Sequence, residues 1–400
     1  MSPTQNTPES LANCSPATRA IHGDDGIQQH KAIAPAIHLS TTYRYHDNPD
    51  DIVFWGEYDP LGHRDSHTYS RETAPNTNRL EAVLAALLGG KSVTYPTGLA
   101  ALFSMLVHLR PKRIAMRAGF SGCHGVVGLL GRVYGLEKVD LDSDEIGEGD
   151  VILLETPLNP SGEARDIVHY SNKAKKVGAI LCVDPTLAPP PLLAPFDLGA
   201  DIILHSGSKY FGGHNDLLCG VLTVHPKHDD WYPRLRRDRH IMGNCMGNFE
   251  GWLCLRSLRT VEIRVKRQSE TATRLVKWLD NSKADLPGVL SIAHASLQTE
   301  PWVREQMPNG FGPLFTLYLT SERAARILPS KLQLFHHCTS LGGAESMIEW
   351  RRITDDEIDP RVLRVSVGLE SFEDLQADLI QGLKAVALEM EQAANSTPSS

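Results

Sequence analysis

Three apolar runs of strand length, VILLE (151–155), AILCVD (179–184) and DIILH (201–205), lie along the middle of the chain and limit its fold more than any other feature. None alternates polar with apolar residues, so each strand must be buried on both faces. Between the first two, the segment from Ile167 to Val177 repeats its apolar residues at helical spacing. Strands alternating with helices predict an α/β architecture, a parallel sheet with helices on both sides. Upstream, Leu80, Val83, Leu84, Leu87 and Leu88 read as a helix stopped by Gly89-Gly90. Val93-Thr94-Tyr95 then reads as a strand, Pro96-Thr97-Gly98 as a turn, and Leu99 to Leu109 as the next helix. After about residue 260 the pattern changes to a long amphipathic helix, strands at 313–319 and 361–367, and a closing helix from 372 to about 391. That is a smaller α+β unit behind a large α/β one.

The chain has 400 residues, 41% hydrophobic and 22% charged, enough for two or three domains and too ordinary for a disordered or fibrous protein. Forty Lys and Arg against 48 Asp and Glu leave a net charge of −8, which gives no reason to expect nucleic acid or an anionic membrane as partner. The seven Cys (14, 123, 182, 219, 245, 254 and 338) form no CxxC pair, and their odd number is a poor disulfide framework. Reduced thiols in a cytoplasmic protein are expected. The N-terminus lacks the basic start and apolar stretch of a secretory signal, and no run approaches the roughly 18 apolar residues of a membrane span. Residues 1–16 and 393–400 read as disordered tails. The stretch 225–250 (HPKHDDWYPRLRRDRH) shifts to charge and aromatics and is a candidate connector.

In open parallel sheets ligands bind outside the carboxyl ends of the strands, where helix N-termini offer N–H groups. Lys209 lies just there, after DIILH, with Ser206, Gly207 and Ser208 before it and Gly212-Gly213 after. Two hydroxyls beside an amine suit pyridoxal 5'-phosphate, which needs an amine for a Schiff base and donors for its phosphate. It also needs an anion opposite the ring nitrogen, and Asp184, ending AILCVD 25 residues earlier, is placed for that. The run Ser206-Gly-Ser-Lys209 also fits the SxxK pattern of serine acyl-transfer enzymes, but the chain has no KTG, and Tyr-Phe-Gly-Gly is a poor helix start. No HExxH is present, and His336-His337-Cys338 is a short cluster in a strand–turn region, so no metal site is expected.

Nine segments in order, from ATRAIHGDDG and IAPAIHLSTTYRY through YSRETAPNTNRLEAVLAALLGG, PTGLAAL, ETPLNPSGEARDI, VDPTLAPP and HSGSKYFGGHND to TSLGGAESMI and LRVSVGLESFEDLQADL, resemble the Cys/Met-metabolism enzymes that use pyridoxal phosphate. These include cystathionine synthases and lyases and homoserine-ester sulfhydrylases, and the resemblance runs from about residue 18 to 390. It implies fold type I, the aspartate aminotransferase-like architecture: an N-terminal arm (17–60) contacting a neighbouring subunit, a cofactor-binding α/β domain (61–255) and a C-terminal α+β domain (256–392). It further implies that Lys209 is the Schiff-base lysine and moves the substrate proton, and that Asp184 pairs with the ring nitrogen. Ser206, Ser208 and the backbone N–H groups of Gly98 and Leu99 resemble the phosphate cup. Tyr69 and Arg71 resemble residues that reach the phosphate of a neighbour's cofactor, which implies a homotetramer of active dimers. Asn159 resembles the contact to the ring hydroxyl and substrate, Arg364 the clamp on the substrate carboxylate, and Ser340 its companion. The implied reaction acts at the β- or γ-carbon of a sulfur-containing or O-acylated amino acid, by elimination or γ-replacement.

The departures fall on reaction choice. Phe120 stands where the family usually has a tyrosine; its ring can stack on the cofactor, but it has no hydroxyl for proton transfer. Cys123 and His124 follow it as possible substitutes or as structural residues. Thr339 replaces a glutamate or aromatic, Pro185 an asparagine after Asp184, and Ser208 a common threonine. A catalytically impaired or regulatory homologue, or a specialised enzyme with a non-sulfur nucleophile, stays open beside the transsulfuration reading.

Overall fold

The computed structural model describes Leu11 and residues 13–27, 32–52 and 67–396. Most of the predicted N-terminal tail, part of the arm and the last four residues lie outside the described residues. The large sheet has seven strands, β1 (Lys91–Tyr95), β2 (Arg113–Ala115), β3 (Glu137–Val139), β4 (Val151–Glu155), β5 (Ile180–Asp184), β6 (Ile202–Ser206) and β7 (Gly220–Val224), in the order β1-β7-β6-β5-β4-β2-β3. The smaller sheet contains β8 (Val289–Ala293), β9 (Leu314–Leu319), β10 (His336–His337), β11 (Met347–Trp350) and β12 (Val362–Ser366), in the order β10-β11-β12-β9-β8.

The large sheet is mixed and not wholly parallel. From β3 to β6 the neighbours are parallel, but β7 is antiparallel to both β6 and β1. A parallel return needs a crossover long enough for a helix, and the link from Ser206 to Gly220 contains none, so β7 comes back beside β6 in the opposite sense. As β7 separates β1 from β6, those two strands share a direction, and Tyr95 and Ser206 both pair with Gly220. The carboxyl ends of β1 and β6 thereby open on the same edge. A Cβ at Gly220 would lie 2.0 Å from the carbonyl oxygen of Thr97, so only glycine lets the turn after β1 come this close.

The double burial read from the apolar runs is what the sheet displays. Ile152 and Leu154 pack to one side with Leu80, Leu84 and Val183, while Val151 and Leu153 pack to the other with Leu102, Met105 and Leu204. The helix Pro75–Leu88 ends at Gly89 in the left-handed region, φ 78°, and Ile167–Val177 opens on Asp166, whose side chain accepts the His169 N–H. A third core joins the helices Val261–Ser282 and Phe372–Ser396 to the small sheet through Leu275, Leu279, Phe315, Leu363, Leu375 and Leu379. The closing helix runs five residues beyond 391 into the predicted tail.

The charged stretch after residue 225 is not a connector. It forms the helix Trp231–Met242 with Arg236 and Arg239 buried. Arg239 Nη1 donates to Glu81 Oε1 at 2.5 Å and to the Thr94 carbonyl at 2.9 Å, and Glu81 Oε1 also accepts the Thr94 N–H at 2.9 Å. One buried ion pair thus fastens two helices to β1. Replacing Arg239 with alanine leaves Glu81 buried without its cation, and urea unfolding of Arg239→Ala should show a loss of about 3–5 kcal/mol.

Candidate active site

The loop after β6 brings Lys209 under the turn that precedes β11. Lys209 Nζ donates to Ser340 Oγ at 2.7 Å. Ser340 has φ 77°, and a Cβ at Gly342 would lie 3.0 Å from the backbone of Lys209, so this left-handed turn is pressed onto the lysine. Burial, with Arg364 second, lowers the Lys209 pKa to about 8, so the uncharged amine is a minor form at neutrality and becomes the major one in mildly alkaline solution.

Arg364, in β12, is only 5% exposed. Its Nη2 donates to the Ser340 carbonyl at 2.7 Å and pairs with Glu349, which faces it across the β11–β12 register. Its Nη1 donates to Asn159 Oδ1 at 3.1 Å. One guanidinium therefore joins the small sheet to the loop after β4. Burial lowers its pKa to about 10, so it remains a cation in the neutral range.

Asp184 ends β5, directly in register with Glu155 at the end of β4. Asp184 Oδ1 accepts the N–H of Thr186 at 3.0 Å and its hydroxyl at 2.5 Å, and Thr186 Oγ1 in turn accepts the N–H of Ser206 at 2.9 Å. Glu155 Oε1 accepts the N–H of Asn159 at 2.7 Å and Oε2 that of Phe120 at 2.8 Å. The two carboxyls line a cavity with Gly119, Cys123, Leu153 and Arg165. Burial raises both pKa values, and the charge of Asp184 raises that of Glu155 further.

The helix Gly98–Leu109 points its N-terminus at this edge. Thr97 caps it by accepting the Ala100 N–H, and no hydrogen bond among the described residues takes the N–H of Gly98 or Leu99. A Cβ at Gly98 would come within 3.2 Å of Ser206, so hydroxyl and helix terminus form one seat for an anion. Ser208 is less free: its hydroxyl accepts the Cys219 N–H at 2.8 Å and donates to the Cys219 carbonyl at 3.4 Å. Phe120 is exposed, its ring against Gly122 beside Leu99. Cys123 lies in the Asp184 cavity with its thiol pKa pushed up by burial, whereas His124 meets the Arg117 backbone and Lys138 instead. Thr339 is exposed.

Lys209, Ser340, Arg364, Asn159, Glu155 and Phe120 thus form one continuous line of hydrogen bonds with Asp184 beside it. Tyr69 and Arg71 stand apart. They contact each other, Arg71 lying 4.9 Å over the Tyr69 ring, and no hydrogen bond among the described residues joins either to that line. Glu349, Glu155 and Thr186 were not singled out from sequence; the first two become visible only when strand register sets them against Arg364 and Asp184. Among the described residues no group of three or more His, Cys, Asp or Glu could hold a metal ion, and His336 and His337 are exposed.

The arrangement offers an anion seat, a partly neutral amine, a carboxylate opposite it and a cation for a second acid group. Comparison with known proteins adds the family and its relatives. Residues 17–384 match the family model described as Cys/Met metabolism PLP-dependent enzyme. The chain is 30% identical to a cystathionine beta-lyase of Lactococcus lactis subsp. cremoris, covering 92% of this chain and 98% of that protein. It is 31% identical to an L-methionine gamma-lyase of Pseudomonas putida, covering 93% and 98%. The crystal structure of a cystathionine gamma synthase from Xanthomonas oryzae pv. oryzae superposes with a TM-score of 0.82 at 27% identity, over 94% of this chain and 99% of that one.

The raised carboxyl pKa values carry a sign for stability. A folded state that holds protons more tightly than the unfolded one loses stability as pH rises above the ordinary carboxylate range near 4. Denaturation of the cofactor-free protein at pH 4.5 and 7 should therefore show wild type losing more stability over that interval than Asp184→Asn.

Proposed function

The chain belongs to the Cys/Met-metabolism PLP-dependent enzymes, and from that premise we propose that it acts at the β- or γ-carbon of a sulfur-containing or O-acylated amino acid, by elimination or by γ-replacement. The observation that carries this reading is the placement of Lys209 just after β6, Asp184 at the end of β5 and Arg364 within β12, with Ser340 joining Lys209 to Arg364. The residues present fit pyridoxal phosphate. The uncommitted N–H groups of Gly98 and Leu99 and the Ser206 hydroxyl suit its phosphate, Asp184 its ring nitrogen, Lys209 Nζ its covalent attachment, and the exposed Phe120 ring its face. Ser208 would join the phosphate donors by giving up its 3.4 Å bond to Cys219. When bound, the cofactor supplies an electron sink for the bonds around the substrate's α-carbon.

The protein's own groups do the rest. Arg364 holds the substrate α-carboxylate and Asn159 its neighbouring polar edge, fixing which bond at the α-carbon faces Lys209. Lys209 Nζ, largely neutral in mildly alkaline solution, accepts the α-proton and can return a proton further along the chain. Ser340 Oγ, 2.7 Å away, keeps the amine in place while it is free. Asp184 stabilises the protonated ring nitrogen. Phe120 has no hydroxyl to give the leaving group a proton.

The chain works as a homo-oligomer in this reading, a tetramer of active dimers in the cytoplasm, with Tyr69 and Arg71 completing a neighbour's phosphate seat. Support comes from the exposure of both residues and from the arm. Residues 35–38 are tied down through the Trp252 Nε1 bond to the Pro35 carbonyl and the Asn76 bonds to Ala36 and His38, yet Leu39 at 74% and Tyr45 at 70% stand in the open. No helix among the described residues is long and apolar enough to cross a membrane.

Mass spectrometry after incubation with L-cystathionine, or with O-acetylhomoserine and a thiol, tests the reaction. Pyruvate with homocysteine identifies β-elimination, 2-oxobutanoate with cysteine identifies γ-elimination, and a thioether from the ester identifies γ-replacement; no product from any of them contradicts the reading. Arg364→Lys keeps the charge but loses the planar fork, and should raise KM for the substrate found by about tenfold or more while changing kcat less. An unchanged KM would remove Arg364 from the carboxylate.

A further inference from the structure

Glu155 lies among the residues read as holding the cofactor, yet its carboxylate is already spent. Oε2 takes the N–H of Phe120, 35 residues earlier in the chain, and Oε1 takes that of Asn159, four residues later. The approach is close enough that a Cβ at Gly119 would lie 2.4 Å from Oε2 and 3.1 Å from Cδ, so position 119 has room for glycine alone while the carboxylate stays where it is. Arg165 stands beside the same loop, donating through Nη2 to the Ala118 carbonyl at 3.2 Å. Glu155 also ends its strand in register with Asp184, and both line one cavity. Two loops that carry cofactor-facing side chains are thus fixed to one rigid strand end, next to the strand that carries the third.

We propose that Glu155 is a positioning residue for the cofactor, its carboxylate bracing Phe120 and Asn159 relative to Asp184. This rests on the reading of those three residues given above. Both braced groups are N–H donors, so only an acceptor with two equivalent oxygens serves both; glutamine would turn an NH2 group toward one of them and release that loop. Releasing either loop loses a hydrogen bond that fixes a cofactor-facing group, so the loss should be measurable in cofactor affinity.

The test is titration of cofactor-free protein with pyridoxal phosphate, followed by absorbance, together with the unfolding midpoint of the cofactor-free state. Glu155→Gln should raise the cofactor dissociation constant about tenfold or more, and Phe120→Ala should raise it as well. If Glu155 acts through Phe120, the two effects are not additive: in the Phe120→Ala background Glu155→Gln should change the constant much less than it does alone. Should Glu155→Gln fail to fold, Gly119→Ala displaces the same carboxylate and should give the same pattern. A wild-type dissociation constant for Glu155→Gln, or full additivity with Phe120→Ala, would overturn the brace. Wild-type affinity in Phe120→Ala itself would overturn the stacking role on which the brace depends, and so separates that failure from the other.

Discussion

A guanidinium that is 95% withdrawn from water has to be satisfied by its surroundings, and the site is organised around how Arg364 is satisfied. Its partners come from three places: Glu349 on the neighbouring strand, the Ser340 carbonyl in the turn before it, and Asn159 in the loop that follows β4 of the other sheet. Glu349 and Asn159 are themselves buried, so water cannot stand in for either. The charge therefore acts as a fastener between the two sheets. It fixes the Ser340 turn, whose hydroxyl holds Lys209, and the Asn159 loop, whose N–H is held by Glu155.

The same fastening divides the site by charge. Lys209 and Arg364 lie on the side of the small sheet, the amine's pKa brought down by burial and by the neighbouring cation. Asp184 and Glu155 lie at adjacent strand ends on the other side, both more reluctant to ionise than ordinary carboxyls. A flat group with an anionic tail, a basic nitrogen and a reactive carbonyl carbon is complementary to what lies between. The carboxylates gain a cation to face, the amine an electrophile, and the terminus of the helix from Gly98 an anion.

Much of this was readable because burial leaves strong traces in sequence. VILLE and AILCVD are apolar throughout, since both faces of β4 and β5 are covered, and Lys209 and Asp184 stand out as the polar residues that end such runs. β2 and β3 were invisible: each has three residues, and β3 is an edge strand with Glu137 and Lys138 exposed. The direction of β7 depends on a loop too short for a helix, which residue patterns do not reveal. The helix Trp231–Met242 reads as a connector because its arginines look like a solvated face until Glu81, far away in the chain, is found opposite Arg239. Sequence gives neither Glu349 nor Glu155 a role for the same reason, as register alone shows what each faces. The roles of Tyr69, Arg71 and Asn159 came from the family resemblance and not from local pattern.

We propose that this constellation holds pyridoxal phosphate on Lys209. The direct measurement is borohydride reduction of the protein saturated with cofactor, followed by proteolysis and mass mapping of the peptides. The expected result is a pyridoxyl adduct on the peptide that contains Lys209. An adduct on another lysine, or no adduct in a protein that stays colourless with added cofactor, would contradict it.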